Sequence, residues 1–262
     1  MKQWLILLVL MLTACSSTPE RAPRLRLLAD TASREAVALA AQQQWAEAQA
    51  AWREALTSYQ SIDDWHGQGR ASLGLAAVLL RQAGQTQAKV HLQYLIDQAA
   101  FPASQRAQAA YQMALLETSP EWLVRARTLC GERCALAVQL DNFEAAQALR
   151  AGEWDRAAQL AGRALKAAAH LPAEESHARR LLAEVAMQQQ DWLRARQELD
   201  AVLVLDRKLA EPCWLLDDYV LLARWAAARG DLLLGKEAEM RQKSIRAGLG
   251  EQACLAVAGA LR

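Results

Sequence analysis

Five cysteines, four histidines and the adjacent aspartates Asp217 and Asp218 are residues of this 262-residue chain whose types invite a chemical role. Leaving Cys15 aside, Cys130, Cys134, Cys213 and Cys254 can pair in three ways. Cys130 and Cys134 stand in a C-x3-C spacing, longer than the C-x2-C of thioredoxin-like sites, and no βαβ pattern surrounds them. The favoured pairing staples Cys130 to Cys134 across Gly131, Glu132 and Arg133, and Cys213 to Cys254; a redox-active thiol at Cys130 or Cys134 is the rival. His66, His91, His170 and His177 are scattered, with no H-E-x-x-H arrangement, so no metal is expected. His170 and His177 flank a turn at Pro172 that reads as a solvated loop. No nucleophile elbow or phosphate-binding loop occurs. Asp217 and Asp218 are neighbours and point apart on a helix, a poor acid–base couple. The expectation is a protein without catalysis or cofactor.

The frame that positions these residues is a repeated phrase. Residues 151–165, AGEWDRAAQLAGRAL, read as a turn, then Trp154, then Ala157, Ala161 and Ala164 at the steps of one helix face. The phrase returns at 44–56 with Ala48, Trp52 and Ala55, and at 191–202 with Ala195, Leu199 and Val202. Looser versions occupy 84–95 and 230–239. Alanine at a crossing point lets two antiparallel helices approach near the short end of the ~8–10 Å interaxial range.

The phrase resembles the second helix of the tetratricopeptide repeat (TPR), which carries small–x3–aromatic–x2–small. The equivalent small positions Ala48, Ala88, Ala157, Ala195 and Gly235 are spaced 40, 69, 38 and 40 residues, with Ala126 the expected anchor inside the long gap. Several units thus exceed the usual ~34 residues. Where the first TPR helix usually has glycine, this chain has Ala36, Ala76, Ala145 and Ala183. The resemblance covers about residues 27–245 and implies an all-α fold, a TPR-like right-handed superhelix of about six antiparallel helix pairs, over 27–249.

The first pair is expected at 31–44 and 46–59, with Val37 and Ala40 facing inward and Trp45 at the bend. The second is read at 69–82 and 85–98. The third opens at Ser104, and its second helix starts at Ser119-Pro120-Glu121, a capped and dipole-matched N-terminus, and stops at Cys130-Gly131. Over 132–150, Asp141-Asn142 either breaks a helix or lies within one. Then come 154–169, the pair 176–190 and 192–205, and the pair 212–229 and 232–246.

The N-terminus resembles a bacterial lipoprotein leader. Residues 1–14 carry Lys2 and the apolar stretch WLILLVLML, too short to span ~30 Å of hydrocarbon. Leu12-Thr13-Ala14-Cys15 resembles the lipobox, which implies cleavage before Cys15 and acylation of its sulfur. Ser16 after the cysteine implies sorting to the outer membrane, facing the periplasm, an oxidising space where disulfides persist. Residues 15–26 form a lipidated, polar tether with Pro19 and Pro23. Residues 250–262 are an apolar end segment, expected to cap the last repeat, with self-association as the alternative.

The formal charge is +1, and loss of Lys2 with the leader brings it to zero, which argues against a nucleic-acid partner. The TPR resemblance implies that partners lie in a groove lined by the first helix of each pair. The candidates are Arg70, Arg81, Gln139, Asn142, Arg150, His177, Arg180 and Arg224, a mildly basic set suited to an acidic or C-terminal peptide segment. Trp65, Trp214 and Trp225 are read as the tryptophans available to a partner. The functional expectation is an outer-membrane scaffold or adaptor that binds envelope proteins of pilus, barrel-assembly or cell-wall machinery. A periplasmic glycan or small-ligand receptor is the alternative within binding proteins.

Overall fold

The structure, a computed structural model, describes residues 23–117, 119–131, 134–249 and Cys254. Every regular element among the described residues is an α-helix, and there are twelve. In chain order they are α1 (Arg24–Ala41), α2 (Trp45–Ser61), α3 (Trp65–Arg81), α4 (Gln85–Asp97), α5 (Ala103–Glu117) and α6 (Pro120–Cys130). There follow α7 (Ala137–Arg150), α8 (Trp154–Ala167), α9 (Pro172–Gln188), α10 (Trp192–Leu209), α11 (Pro212–Arg229) and α12 (Leu232–Leu249). The leader, Cys15 and the tether to residue 22, and the end segment apart from Cys254, lie outside the described residues. Among the described residues no helix is long and apolar enough to cross a membrane.

The chain divides into two compact units, Met1–Ala71 and Ser72–Arg262. In the first, α1 packs on α2 through small residues. Ala29, Ala32, Ser33 and Ala36 form the buried stripe of α1, at the three- and four-residue steps of one helical face. That phase corrects the expectation for Val37, which is 58% exposed. It sits one residue past Ala36 and is swung about 100° away. The α2 stripe is Ala48, Ala51, Trp52, Ala55 and Tyr59. Tyr59 is fully buried, and its hydroxyl donates to Asp30 Oδ1 at 2.6 Å and receives the Arg70 guanidinium. Gly67 lies against the Tyr59 ring, where a Cβ would overlap it.

In the second unit the helices pack as successive hairpins: α5 on α6, α7 on α8, α9 on α10 and α11 on α12. First helices also touch, α7 with α9 and α9 with α11, which is how stacked hairpins bury a continuous core. One apolar cluster joins Ala145, Ala157, Leu160, Leu182 and Val185, and another joins Leu199, Leu203, Tyr219, Leu222 and Ala238. The anchor alanines Ala48, Ala88, Ala157 and Ala195, the expected anchor Ala126, and the first-helix alanines Ala36, Ala76, Ala145 and Ala183 are all fully buried.

One turn is used over and over. Gln43, Asp63, Ala83, Gly152, Gln190, Ala210 and Gly230 all take φ between 54° and 76°. In each case the next residue's N–H donates to the carbonyl five residues earlier, as from Glu153 to Ala148 at 2.9 Å. This is the long bond of the Schellman motif, which satisfies a helix-end carbonyl that would otherwise be orphaned. The following residue then opens the next helix, and at Trp45, Trp65, Trp154 and Trp192 it is a tryptophan. Trp45 is thus the first residue of α2 and not the bend.

One register expectation changes, and one open alternative is decided. In α2, α4, α8, α10 and α12 the anchor is the fourth helical residue; in α6 that position is Leu123, not Ala126. Leu123 lies 35 residues after Ala88 and 34 before Ala157, so the array keeps its spacing and places one large residue in a small slot. Asp141 and Asn142 lie inside α7 and do not break it. Such residues favour turns when their side chains compete for backbone groups. Here both side chains are engaged by other helices.

Candidate functional site

The eight groove candidates do fall on α3, α7, α9 and α11, the first helices of their pairs. Their side chains have different fates. Arg81 and Arg150 are exposed at the last residues of α3 and α7, and Arg224 is exposed on α11. Gln139 is half-buried. Arg70 is held by Tyr59 and by Asp30, the latter at 3.3 Å. Asn142 is buried, and its Nδ2 donates to the Glu174 carbonyl at 3.0 Å and to Glu174 Oε2 at 2.9 Å. His177 and Arg180 are neighbours at 3.4 Å on α9, and both are half-buried. Arg180 and the amide nitrogen of Asn142 are thus engaged in joining helices, while the buried Asn142 Oδ1 has no hydrogen-bond partner among the described residues.

Arg180 is the centre of the strongest ionic cluster. Its Nη2 donates to Asp206 Oδ2 at 2.6 Å and its Nε to Asp218 Oδ1 at 2.7 Å. The arginine side chain is 11% exposed and both carboxylates are fully buried. A guanidinium fork suits two acceptors arriving from different helices. Burial, reinforced by the negative charge of Asp206, pushes the Asp218 carboxyl up to about 7. The His177 ring packs edge-on to Trp214, with centroids 4.6 Å apart, correcting the solvated-loop reading. Burial, then the neighbouring Arg180 charge, lowers His177 to about 3, so the ring is neutral. Trp214 is thus a packing residue. Trp225 is as well, since its Nε1 donates to the Trp192 carbonyl at 2.9 Å.

A second cluster ties α6, α7 and α8. Asp141 receives Arg127 Nη2 at 2.5 Å and Arg163 Nη2 at 2.9 Å, while Glu144 receives Arg127 Nε at 2.6 Å. Burial works to raise the Asp141 carboxyl, but hydrogen bonds from Arg163 and Arg127 outweigh it and hold it below the usual carboxylate range. Neither cluster was foreseen as a unit. The signal in the sequence was Asp206 closing the apolar run AVLVL: a charge in phase with the buried stripe Leu199, Val202 and Leu203 demands a partner.

Cys130 is bonded to Cys134, with Cα atoms 4.9 Å apart, and Cys213 to Cys254, with Cα atoms 5.5 Å apart. The second bond ties the start of α11 to the chain beyond α12. Among the described residues no group of three or more histidine, cysteine or acidic side chains is placed to hold a metal ion. The two ionic clusters join neighbouring helices, Arg180 linking α9 to α10 and α11 and Asp141 linking α7 to α6 and α8.

No family model and no curated protein matches the chain. Among solved structures it is similar to one described as "DHF58 filament", at 19% identity over 86% of this chain and 92% of that chain, with a TM-score of 0.17. That similarity bears on neither partner nor role.

Proposed function

We propose that the chain is a TPR-like lipoprotein that is acylated at Cys15, held in the outer membrane, and presents its helical array to the periplasm as a scaffold for protein partners. The observation that carries the reading is the run of first helices α7, α9 and α11, each touching the next, backed by second helices across alanine crossings. Such an array extends a surface by adding units and has little room for an enclosed reaction chamber. The Leu-Thr-Ala-Cys sequence before the polar tether supports the anchor. A triacylated cysteine supplies the more-than-one chain that stable anchoring needs.

In-cell crosslinking of the native, lipidated chain followed by mass spectrometry tests the role. Stoichiometric capture of pilus, barrel-assembly or cell-wall proteins supports the scaffold, whereas capture of the chain alone or of abundant lipoproteins removes it. The anchor fails independently if the Cys15→Ser protein still fractionates with the outer membrane after a salt wash.

A further inference from the structure

Away from the first-helix surface, a cavity of about 360 Å³ opens between α10 and α12 over α11. Its volume lies at the lower end of the ~300–1,000 Å³ range of small-molecule sites. Arg196 and Arg207 of α10 and Arg241 of α12 line it, with Tyr219 of α11, and Leu203 and Leu222 supply apolar wall. The tyrosine is buried and its hydroxyl accepts from Arg207 Nη2 at 2.8 Å. Both Arg207 and Arg241 stand over its ring, 6.0 and 5.9 Å from the centroid, close enough for a cation–π attraction that holds the two guanidinium groups in place.

The charges around this cavity are unequal. Its lining carries three arginines against two carboxylates, Asp200 and Glu237. Each carboxylate is about half exposed and, among the described residues, pairs with an arginine four residues away on its own helix, Asp200 with Arg196 and Glu237 with Arg241. Exposed pairs of this kind are weak and exchange readily with solvent or a competing anion. Arg207 has no carboxylate partner among the described residues, and its fork is free to turn a second edge to an incoming anion. Apolar wall beside a surplus of guanidinium charge suits a ligand with both features.

We propose that this cavity is a binding site for a small apolar carboxylate, one anionic group on a branched or aromatic body. The carboxylate lies between Arg207 and Arg241 above the Tyr219 ring, and the body lies on Leu203 and Leu222. Calorimetric titration of the full chain with N-acetyl-leucine tests this, with N-acetyl-leucinamide and inorganic phosphate as probes lacking the charge or the apolar body. The change in total tryptophan fluorescence, to which Trp225 contributes with its ring 5.2 Å from the Arg196 guanidinium, is a second readout. The expected result is saturable binding of the acid, with the amide and phosphate at least about tenfold weaker. Arg241→Gln, at a half-exposed position, is expected to weaken binding about fivefold with an unchanged melting temperature, and Arg207→Gln by more. The site is overturned by no saturable signal up to roughly 10 mM acid, by equal binding of the amide or of phosphate, or by unchanged affinity in Arg241→Gln.

Discussion

Arg180 on α9 reaches Asp206 at the end of α10 and Asp218 on α11, so a single side chain joins three consecutive helices. The two fully buried carboxylates depend on it. Removing one member of such a cluster leaves uncompensated charge in the interior, whereas replacing all members by apolar groups is often tolerated. Arg180→Met is expected to cost about 3–5 kcal/mol in urea unfolding. The triple change Arg180→Met, Asp206→Leu, Asp218→Leu is expected to recover most of that loss. A single variant as stable as the parent would show that the cluster does not bear on the packing of α9 to α11.

Asp218 and His177 set opposing pH dependences within that same region. Asp218 has a folded pKa of about 7 against an ordinary 3.8, so its contribution to stability is full below 3.8 and is lost as pH rises towards 7. His177 has a folded pKa of about 3 against 6.5, so its contribution is full above 6.5 and is lost as pH falls towards 3. Between pH 4 and 6.5 the two effects oppose one another. Asp218→Asn is expected to unmask the histidine, giving a protein that loses stability on acidification by on the order of 1–3 kcal/mol more than the parent. His177→Gln is expected to tilt the profile the other way. Urea midpoints at pH 4, 5.5 and 7 read both slopes, and parallel profiles for all three proteins would rule the coupling out.

The alternation of helix and turn was legible because one physical device recurs: an alanine crossing, a left-handed turn residue and an apolar first helical residue. α11 at Pro212–Arg229 matches its sequence reading to the residue, since Pro212 suits the first turn and Gly230 supplies the left-handed cap. α1 begins at Arg24 and not at Thr31, and this earlier start is not legible in the sequence because its N-cap, Pro23, offers no capping side chain. The groove arginines were less legible. A helix face can be read from spacing, but whether an arginine meets solvent or a buried aspartate depends on the neighbouring helix. Arg180 and Arg224 share a face pattern in sequence, yet only Arg180 finds Asp206 and Asp218.

Gly67 is a glycine whose missing side chain is needed for a close approach. A Cβ there would stand 2.5 Å from Tyr59 Cγ, and the ring is fixed by its own hydroxyl bond to Asp30 at 2.6 Å. Gly67→Ala is expected to destabilise by about 2–3 kcal/mol, as overpacking does where neither backbone nor ring can yield. Tyr59→Phe, which keeps the ring and removes the hydroxyl, is expected to cost about 1–2 kcal/mol. Thermal melts of the two variants separate crowding from hydrogen bonding.

The bond between Cys213 and Cys254 spans 41 residues of chain and includes all of α12. Closing a loop of that length restricts the unfolded chain, and its removal by Cys213→Ala is expected to cost about 2–4 kcal/mol. Cys130→Ala opens a separation of only four residues and is expected to cost less. A thiol count on the Cys15→Ser protein is expected to find no free thiol. Two reactive thiols at Cys130 and Cys134 would instead revive the redox reading.

The repeated turn makes a set of matched substitutions with opposite signs. Gln43, Ala83, Gln190 and Ala210 hold φ between 54° and 61° without being glycine. A left-handed residue with a Cβ costs about 1–2 kcal/mol, and glycine at that position relieves the strain at an entropic cost of about 0.4–1 kcal/mol in the unfolded chain. Gln43→Gly, Gln190→Gly and Ala210→Gly are each expected to stabilise by about 0.5 kcal/mol. Gly152 and Gly230 lie at φ 76° and 71°, and a Cβ at either would meet nothing within 4 Å. Gly152→Ala and Gly230→Ala therefore report backbone strain alone and are expected to lose about 1 kcal/mol each. Asp63 is the exception among the non-glycine turns, because its Oδ1 accepts from Trp65 Nε1 at 2.9 Å. Asp63→Gly loses that bond and is expected to be close to neutral. Urea midpoints across the series check the ordering; loss of stability in all of the glycine replacements would mean that these side chains contribute contacts outweighing the strain they carry.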